Sequence, residues 1–303
     1  MEADVTFSAN PRLRTMADDS ADVLYISYRS PDYVRVTLPR LLDTLSMRDR
    51  LWVWHNGEHE ETLAAVKEFT DHPNIYKFHH SPENLFVRGP TNWMWSSAEG
   101  RYLAKVDDDA LLRVDWLDRL KKAHESNPKF GVIGCWRFLE SDFDSHLSKS
   151  KMATFNGGVG LLRNLWVEGS GYLMKRECLD ELGQLDPNQG FSSYCIELGR
   201  RGWTNGWLYP FVLQEDLDDP RGPNTMVRTD AELMSRLPLG AIKQGISTLE
   251  AWAERRHQAA LEVQRAPLDP RAYSGWRLKM RRALKKLRAW KSVRSRPRWN
   301  PNW

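Results

Sequence analysis

The sequence predicts an α/β fold, a doubly wound, mostly parallel sheet flanked by helices, with a helical basic C-terminal extension. Three observations carry this. Short β-branched and aromatic runs alternate with stretches of helical spacing over residues 23–110. One of those runs, Tyr102 to Val106, discharges into Asp107, Asp108 and Asp109. Residues 271–303 hold twelve Lys/Arg and no Asp/Glu, whereas the rest of the chain carries more acidic than basic groups.

The elements follow in order. Residues 1–21 read as a polar, flexible lead. Val23 to Ser27 is a first strand, closed by the turn Tyr28-Arg29-Ser30-Pro31-Asp32. Val34, Leu38, Leu41, Leu42 and Leu45 keep helical spacing. Leu51 to Trp54 is a second strand ending at His55-Asn56-Gly57, Glu60 to Phe69 a helix, and Ile75 to Phe78 a third strand. Trp93 to Ala98 is helical, and Tyr102 to Val106 is the fourth strand. Val114 to Leu120 opens an amphipathic helix, and Phe130 to Cys135 is a further strand. The polar segment Ser141 to Asn164, with Gly157-Gly158, reads as a long flexible loop. Residues 169–183 pair a strand with a helix stopping near Gly183, and Trp207 to Leu213 is a late strand. Asp218 to Pro223 marks a boundary, so the α/β domain spans 22–220 and a helical extension 221–266. The latter is one helix from Ala231 to Gln264; Pro267 and Pro270 then break it before the basic tail, 267–303.

Composition narrows the function classes. With 303 residues, 41% hydrophobic and 28% charged, the chain is an ordinary globular protein. No stretch reaches the ~18 apolar residues that would span a bilayer. Residues 1–22 include Glu2, Asp4, Asp18, Asp19 and Asp22 without an apolar core, which argues against a signal peptide. Cys135, Cys178 and Cys195 are odd in number and lack metal-ligand spacing, so a reduced cytoplasmic compartment is expected. The histidines form no zinc pattern, and Gly157-Gly158-Val159-Gly160 lacks the Lys-Ser/Thr ending of a phosphate loop.

Asp107, Asp108 and Asp109 are the leading candidate site. Asp-x-Asp recurs at Asp142/Asp144 and Asp216/Asp218, so the pattern alone selects nothing. Position selects the first copy, because ligands of open α/β sheets bind at the carboxyl ends of strands. Adjacent carboxylates repel unless a cation joins them, and all-oxygen sites suit Mg²⁺ or Mn²⁺, which in turn hold phosphates.

In this order, the motifs resemble family 2 glycosyltransferases of the GT-A fold over about residues 22–220. Tyr28-Arg29-Ser30-Pro31-Asp32-Tyr33 resembles the family's opening turn, and Asn56-Gly57 its Asp-Asn-Gly turn. Pro82-Glu83-Asn84-Leu85 with Asn92 is similar to its Glu-Asn-Leu-Gly and Arg-Asn segment. Asp107-Asp108-Asp109 with Asp115-Trp116-Leu117 is similar to its metal motif, and Gly169 to Asp186 to its acceptor-side strand and helix. The resemblance implies a metal-dependent transferase that moves a sugar from a nucleotide-sugar donor to a glycan or lipid-linked acceptor, with inversion. It places Mn²⁺ or Mg²⁺ on Asp107 and Asp109, and the nucleotide on Ser27, Tyr28, Arg29, His55, Asn84, Asn92, Asp107 and Asp108.

The departures matter as much. His55 stands where the family has an acidic base-reading residue, and Thr91 where it has arginine. Gly190-Phe191-Ser192-Ser193-Tyr194 occupies the region of the Glu-Asp general-base motif. Asp186, Glu215 and Asp216 are therefore the candidate catalytic carboxylates, with Glu168 a further one. Trp136, Trp166, Trp203 and Trp207 are candidates to line an acceptor cleft. A non-catalytic glycan- or membrane-binding relative is the alternative that the missing motif keeps open. A nucleotidyltransferase is a second alternative, disfavoured by the lack of a Gly/Lys/Arg-rich loop after the first strand.

The tail adds a partner. Trp276, Met280, Leu284, Leu287 and Trp290 or Val293 form one face of a helix whose other positions are basic. This is the pattern of an interfacial anchor on anionic lipid. The expected location is cytoplasmic, peripheral on the cytoplasmic face of the membrane, through 271–303. Packing on the acidic body ranks second, and nucleic acid last, because no recognition fold accompanies the basic residues.

Overall fold

The structure, a computed structural model, describes residues 19–236, 239–242, 244–280 and 283. Most of the expected lead and the tail positions Leu284, Leu287, Trp290 and Val293 lie outside the described residues.

The first half is β1 (Ala21–Ser27), α1 (Pro31–Leu42), β2 (Arg50–Asn56), α2 (Glu60–Lys67), β3 (Ile75–Ser81), α3 (Arg88–Trp95) and β4 (Tyr102–Asp107). β1 is buried along its whole length, as a strand covered on both faces must be. α1 begins earlier than spacing alone suggests, because Pro31 occupies its first turn, where a missing N–H costs nothing.

The chain continues through β5 (Ala110–Leu112), α4 (Trp116–Ser126), β6 (Phe130–Gly134), α5 (Ser145–Ser148), β7 (Met152–Thr154), β8 (Gly160–Asn164), β9 (Tyr172–Lys175) and α6 (Arg176–Leu182). It ends with α7 (Phe191–Arg200), β10 (Thr204–Tyr209), β11 (Gln214–Asp216), α8 (Asp230–Arg236), α9 (Leu239–Ile242) and α10 (Leu249–Arg265).

The nine-stranded sheet runs β3-β2-β1-β4-β9-β6-β10-β8-β7. β3, β2, β1 and β4 are parallel, and so are β6 and β10. β9 runs antiparallel between β4 and β6, and β8 antiparallel to β10 and β7. The carboxyl ends of β1, β2, β4, β6 and β10 therefore share one edge with the amino end of β9. Alternate residues feed two cores: Val23, Tyr25, Leu51 and Val53 pack toward α1 and α4, and Leu24, Ile26, Trp52 and Trp54 toward α3.

Three expectations are corrected. The polar segment 141–164 is not a loop: it holds α5 and the β7–β8 hairpin, closed by Gly157 and Gly158 with φ of 72° and 76°. The late strand is Thr204–Tyr209, and Leu213 beyond it makes only a bridge to Trp136. The helix expected over 231–264 is broken into α8, α9 and α10, with Thr248 capping the last through Ala251 N.

α10 folds back on the α/β body. Gln264 Nε2 donates to Asp142 O and its Oε1 accepts from Ser148 Oγ, at 2.8 and 2.9 Å. Trp252 Nε1 donates to Asp218 O at 2.9 Å.

Candidate active site

β4 is buried from Tyr102 to Val106 and delivers Asp107 to the carboxyl edge of the sheet. There Lys105 Nζ pairs with Asp107 Oδ1, and the Asp107 N–H donates to Ser170 Oγ at 2.9 Å. Asp108 turns toward β1: its Oδ2 accepts from Tyr28 N at 2.8 Å and its carbonyl from Thr37 Oγ1 at 2.9 Å. β5 then pairs antiparallel with β11, Ala110 opposite Asp216, and Leu217 N donates to Asp109 O at 2.8 Å. That ribbon brings Asp216 and Asp218 beside Asp109.

Electrostatics at this point are strained. Burial pushes the Asp108 carboxyl up to about 8, against the Tyr28 N–H and with help from Asp107. Burial, then Asp216, Asp218 and Asp107, hold Asp109 well above the usual carboxylate range. Asp218 is pushed up to about 6, first by burial, and its Oδ1 is buried without a hydrogen-bond partner. Asp216 goes the other way. Burial would raise it, but Arg137 and Arg256 more than offset that and hold it as a carboxylate. Arg137 Nε lies 2.8 Å and Arg256 Nη2 2.5 Å from its Oδ2, and Gln214 Nε2 is 2.7 Å from its Oδ1.

Among the described residues no group of three His, Cys, Asp or Glu side chains converges as a complete metal site. Two of the nearby carboxylates already have cationic partners: Lys105 holds Asp107 and two guanidiniums hold Asp216. Asp109, whose carboxylate accepts no hydrogen bond among the described residues, and the orphaned Asp218 oxygen remain. One or two carboxylates, completed by phosphate oxygens and water, is how Mg²⁺ is usually bound in phosphate-handling sites. The donor set fits a hard divalent cation.

The β1–β2 side is less charged. Ser27 Oγ lies 3.1 Å from His55 Nδ1, and the buried His55 Nε2 has no partner. The His55 ring stacks on His80 at 5.3 Å. Burial, then His80 and His59, push the His55 pKa down to about 4, so it stays neutral near pH 7. Arg29 adopts φ 53°, with its guanidinium 5.1 Å from the centre of the Tyr28 ring. Asn84 Oδ1 accepts from Phe86 N, and Asn56 clamps the same loop through Leu85 N and Phe86 O. Asn92 exchanges hydrogen bonds with the Leu185 backbone at 2.9 and 3.0 Å, so its amide joins α3 to the segment after α6.

The candidate catalytic carboxylates are scattered. Asp186 is exposed between α6 and α7. Glu215 is held on both oxygens by Asn224, at 2.6 Å from its N and 2.7 Å from its Nδ2. It lines a cleft of about 510 Å³ whose walls include Leu111, Val114, Phe138 and Leu213. Glu168 lines a second cavity of about 230 Å³ with Arg137, Trp252, Arg255 and Arg256. The expectation for the tryptophans is corrected in part: Trp136 and Trp207 are fully buried and meet edge-on at 5.6 Å, as core residues. Trp166 packs on Tyr273, and Trp203 donates to Glu181.

Lys105, Ser170, Arg137, Asp218 and Arg256 were not expected as site residues. Lys105 had a signal, a lone charge in an apolar strand. Arg137 and Arg256 had none, because their partner lies about 80 and 40 residues away in sequence (79 and 40).

A pH test follows from the buried histidines. Burial pushes His124 down to about 3. A depressed histidine favours the neutral form in the fold, so stability is lost as pH falls from about 6.5 toward the folded value. The raised carboxylates work in the opposite direction, so the comparison must be internal. The melting temperature of His124→Gln relative to the parent should rise steadily between pH 6.5 and 4. A pH-independent difference would show that His124 is not held neutral.

Residues 22–197 match the sequence profile of Glycosyl transferase family 2. The fold is similar to that of the mannosyltransferase PcManGT from Pyrobaculum calidifontis, solved with GDP-Man and Mn²⁺. The TM-score is 0.56 at 20% identity, covering 90% of this chain and 83% of that one. It is also similar to S. aureus TarS 1–349, with a TM-score of 0.51 at 13% identity, covering 87% and 92%. No curated protein sequence matches the chain.

Proposed function

From the premise that this chain belongs to glycosyl transferase family 2 and is a glycosyltransferase, we propose a metal-dependent, inverting transfer from a nucleotide-sugar donor to a glycan or lipid-linked acceptor. The observation that carries the metal dependence is the Asp109 carboxylate, free of hydrogen-bond partners among the described residues, beside Asp218 with its orphaned oxygen. Mn²⁺ or Mg²⁺ held by Asp109, with Asp107 near, would neutralise charge on the departing diphosphate.

The chain's own residues do the rest in this reading. Asp108 holds the Tyr28 turn against the end of β4, which shapes the nucleotide side of the crevice. Ser27 fixes the His55 ring, leaving Nε2 to read the nucleotide. Arg29, Asn84 and Asn92 belong to the same side, Asn92 through the backbone contact that fixes α3. Asp186, Glu215 and Asp216 remain the carboxylates of the acceptor side, Asp216 as a fixed charge rather than a free base.

The proposal extends to the tail, with 271–303 making a peripheral contact with anionic lipid on the cytoplasmic face. Trp276 and Met280 are exposed on the helical stretch 275–280. No helix among the described residues is long and apolar enough to cross a membrane. Co-sedimentation with phosphatidylserine vesicles that persists after deletion of 271–303 would remove this part.

The first test is a thermal-shift screen of nucleoside diphosphates and nucleotide sugars, each with Mn²⁺ and with EDTA. One nucleotide should raise the melting temperature in Mn²⁺ only; at one hundred times its Kd the stabilisation is about 2.7 kcal/mol. Equal shifts in EDTA would sink metal dependence, and no shift with any nucleotide would sink the donor assignment.

A further inference from the structure

The carboxyl edge of the sheet carries one more acidic group, which neither the metal site nor the nucleotide side uses. Glu168 precedes β9, whose amino end lies at that edge between the ends of β4 and β6. Two residues on, Ser170 receives the Asp107 N–H at 2.9 Å, which ties this segment to the donor carboxylates. Across from Glu168 stands Arg137, just past β6 and ion-paired with Asp216. Glu168 is thus one guanidinium away from the carboxylate ribbon, on its far side from β1 and β2.

Its surroundings separate it from the other acidic candidates. Glu215 has both oxygens taken by Asn224, Asp216 lies between two guanidiniums, and Asp186 is exposed beyond α6. Glu168 has one oxygen fixed by the indole N–H of Trp207, at 3.1 Å from Oε2, and faces a cavity of about 230 Å³. Trp252 and Phe138 give that cavity aromatic surface, and Arg255 a hydrogen-bond donor. An aromatic wall with a carboxylate and guanidinium donors suits a sugar ring, whose apolar face stacks while its hydroxyls bond.

We infer that Glu168 is the group that takes the proton from the acceptor hydroxyl, and that the cavity between it and α10 holds the acceptor sugar. The inference rests on the donor reading proposed above. In the step it describes, the acceptor oxygen forms the new bond to the donor's anomeric carbon. The bond from that carbon to the diphosphate oxygen breaks, its electron pair leaving with the nucleoside diphosphate. The acceptor proton passes to Glu168 and then to water. Burial raises the Glu168 carboxyl above its ordinary range, while Arg137 and Arg256 pull it back. The net direction is upward, so its carboxylate form is more basic than that of an exposed glutamate. The acceptor wall is then supplied by α10, so the C-terminal extension completes the site.

The test uses the full chain, with GDP-mannose, UDP-glucose and UDP-N-acetylglucosamine as donors in Mn²⁺ and water as the default acceptor. Nucleoside diphosphate release and melting temperature are read together. For Glu168→Gln the nucleotide-dependent shift should match the parent, while release falls about a hundredfold or more. Formate should restore part of the release in Glu168→Ala, where it fills the vacated space. Release within threefold of the parent in Glu168→Gln overturns the inference and leaves the donor reading standing. So does loss of the nucleotide shift, which would place Glu168 in donor binding. If Glu168→Gln does not fold, the formate response of Glu168→Ala decides, and its absence counts against the proposal. A parent showing neither shift nor release with any donor defeats the donor reading, and this inference with it.

Discussion

Asp109→Asn is expected to move two measurements in opposite directions. In EDTA the variant should melt higher than the parent. Asp109 is held well above the ordinary carboxylate range by burial and by Asp216, Asp218 and Asp107. A carboxyl raised in the fold is one whose charge disfavours the fold above that pKa, so a neutral isostere relieves it. In Mn²⁺ with the nucleotide that stabilises the parent, the variant should show no shift, and turnover should fall about a thousandfold. That factor corresponds to about 4 kcal/mol of lost charge stabilisation on the leaving diphosphate. The paired signs are what make the experiment decisive. A residue that merely supports the fold would lower the EDTA melting temperature and leave the nucleotide response in place, and that outcome would remove Asp109 from the metal site.

The architecture was legible where a strand's chemistry is local. The β1, β2 and β4 runs are apolar, β-branched and aromatic, and each emerges as a strand buried on both faces. Legibility failed where long-range contacts override composition. The 141–164 segment looks like a loop because its residues are polar, yet Lys151 finds Asn164 and Val263, and Gln264 caps the region from the far end of the chain. α7 was readable and was missed: Tyr194, Cys195 and Leu198 keep helical spacing and are buried.

The site divides the same way. Asp107 to Asp109 could be placed from sequence because a strand and its terminus are contiguous. What those carboxylates experience could not, since it depends on residues brought in by β11, β9 and α10. Asp216 illustrates the limit. As part of an Asp-x-Asp it invites a role as base or metal ligand, and only Arg137 and Arg256 reveal it as a fixed charge. Asn92 is similar, a polar residue with the right spacing whose amide is bonded to the Leu185 backbone.

Arg256→Met carries the largest expected loss of stability. The guanidinium is almost wholly buried, with Nη2 on Asp216 Oδ2 at 2.5 Å and on Arg137 O at 3.1 Å, and Nε on Asp219 Oδ2 at 3.3 Å. Methionine keeps most of the volume and removes the charge. Of its cationic partners among the described residues, Asp216 would retain Arg137 and Asp219 would retain Arg221, with Gln214 still bonded to Asp216 Oδ1. Removing one partner of a buried pair typically costs 3–5 kcal/mol, and the surviving arginines place this case near ~3 kcal/mol. For a domain of this size that is a drop of about 6–12 °C in melting temperature. Adding Asp216→Asn should recover part of it, since the stranded charge causes most of the penalty; a double-mutant cycle would measure the coupling. Function should follow stability here. Leu217, the residue after β11, holds Asp109 O through its N–H, and α10 holds the next residue through Trp252 Nε1 on Asp218 O. Loosening Arg256 should therefore weaken the Mn²⁺-dependent nucleotide shift even at temperatures where the variant is folded. A folded variant with an unchanged nucleotide response would mean that α10 stabilises the body without shaping the site.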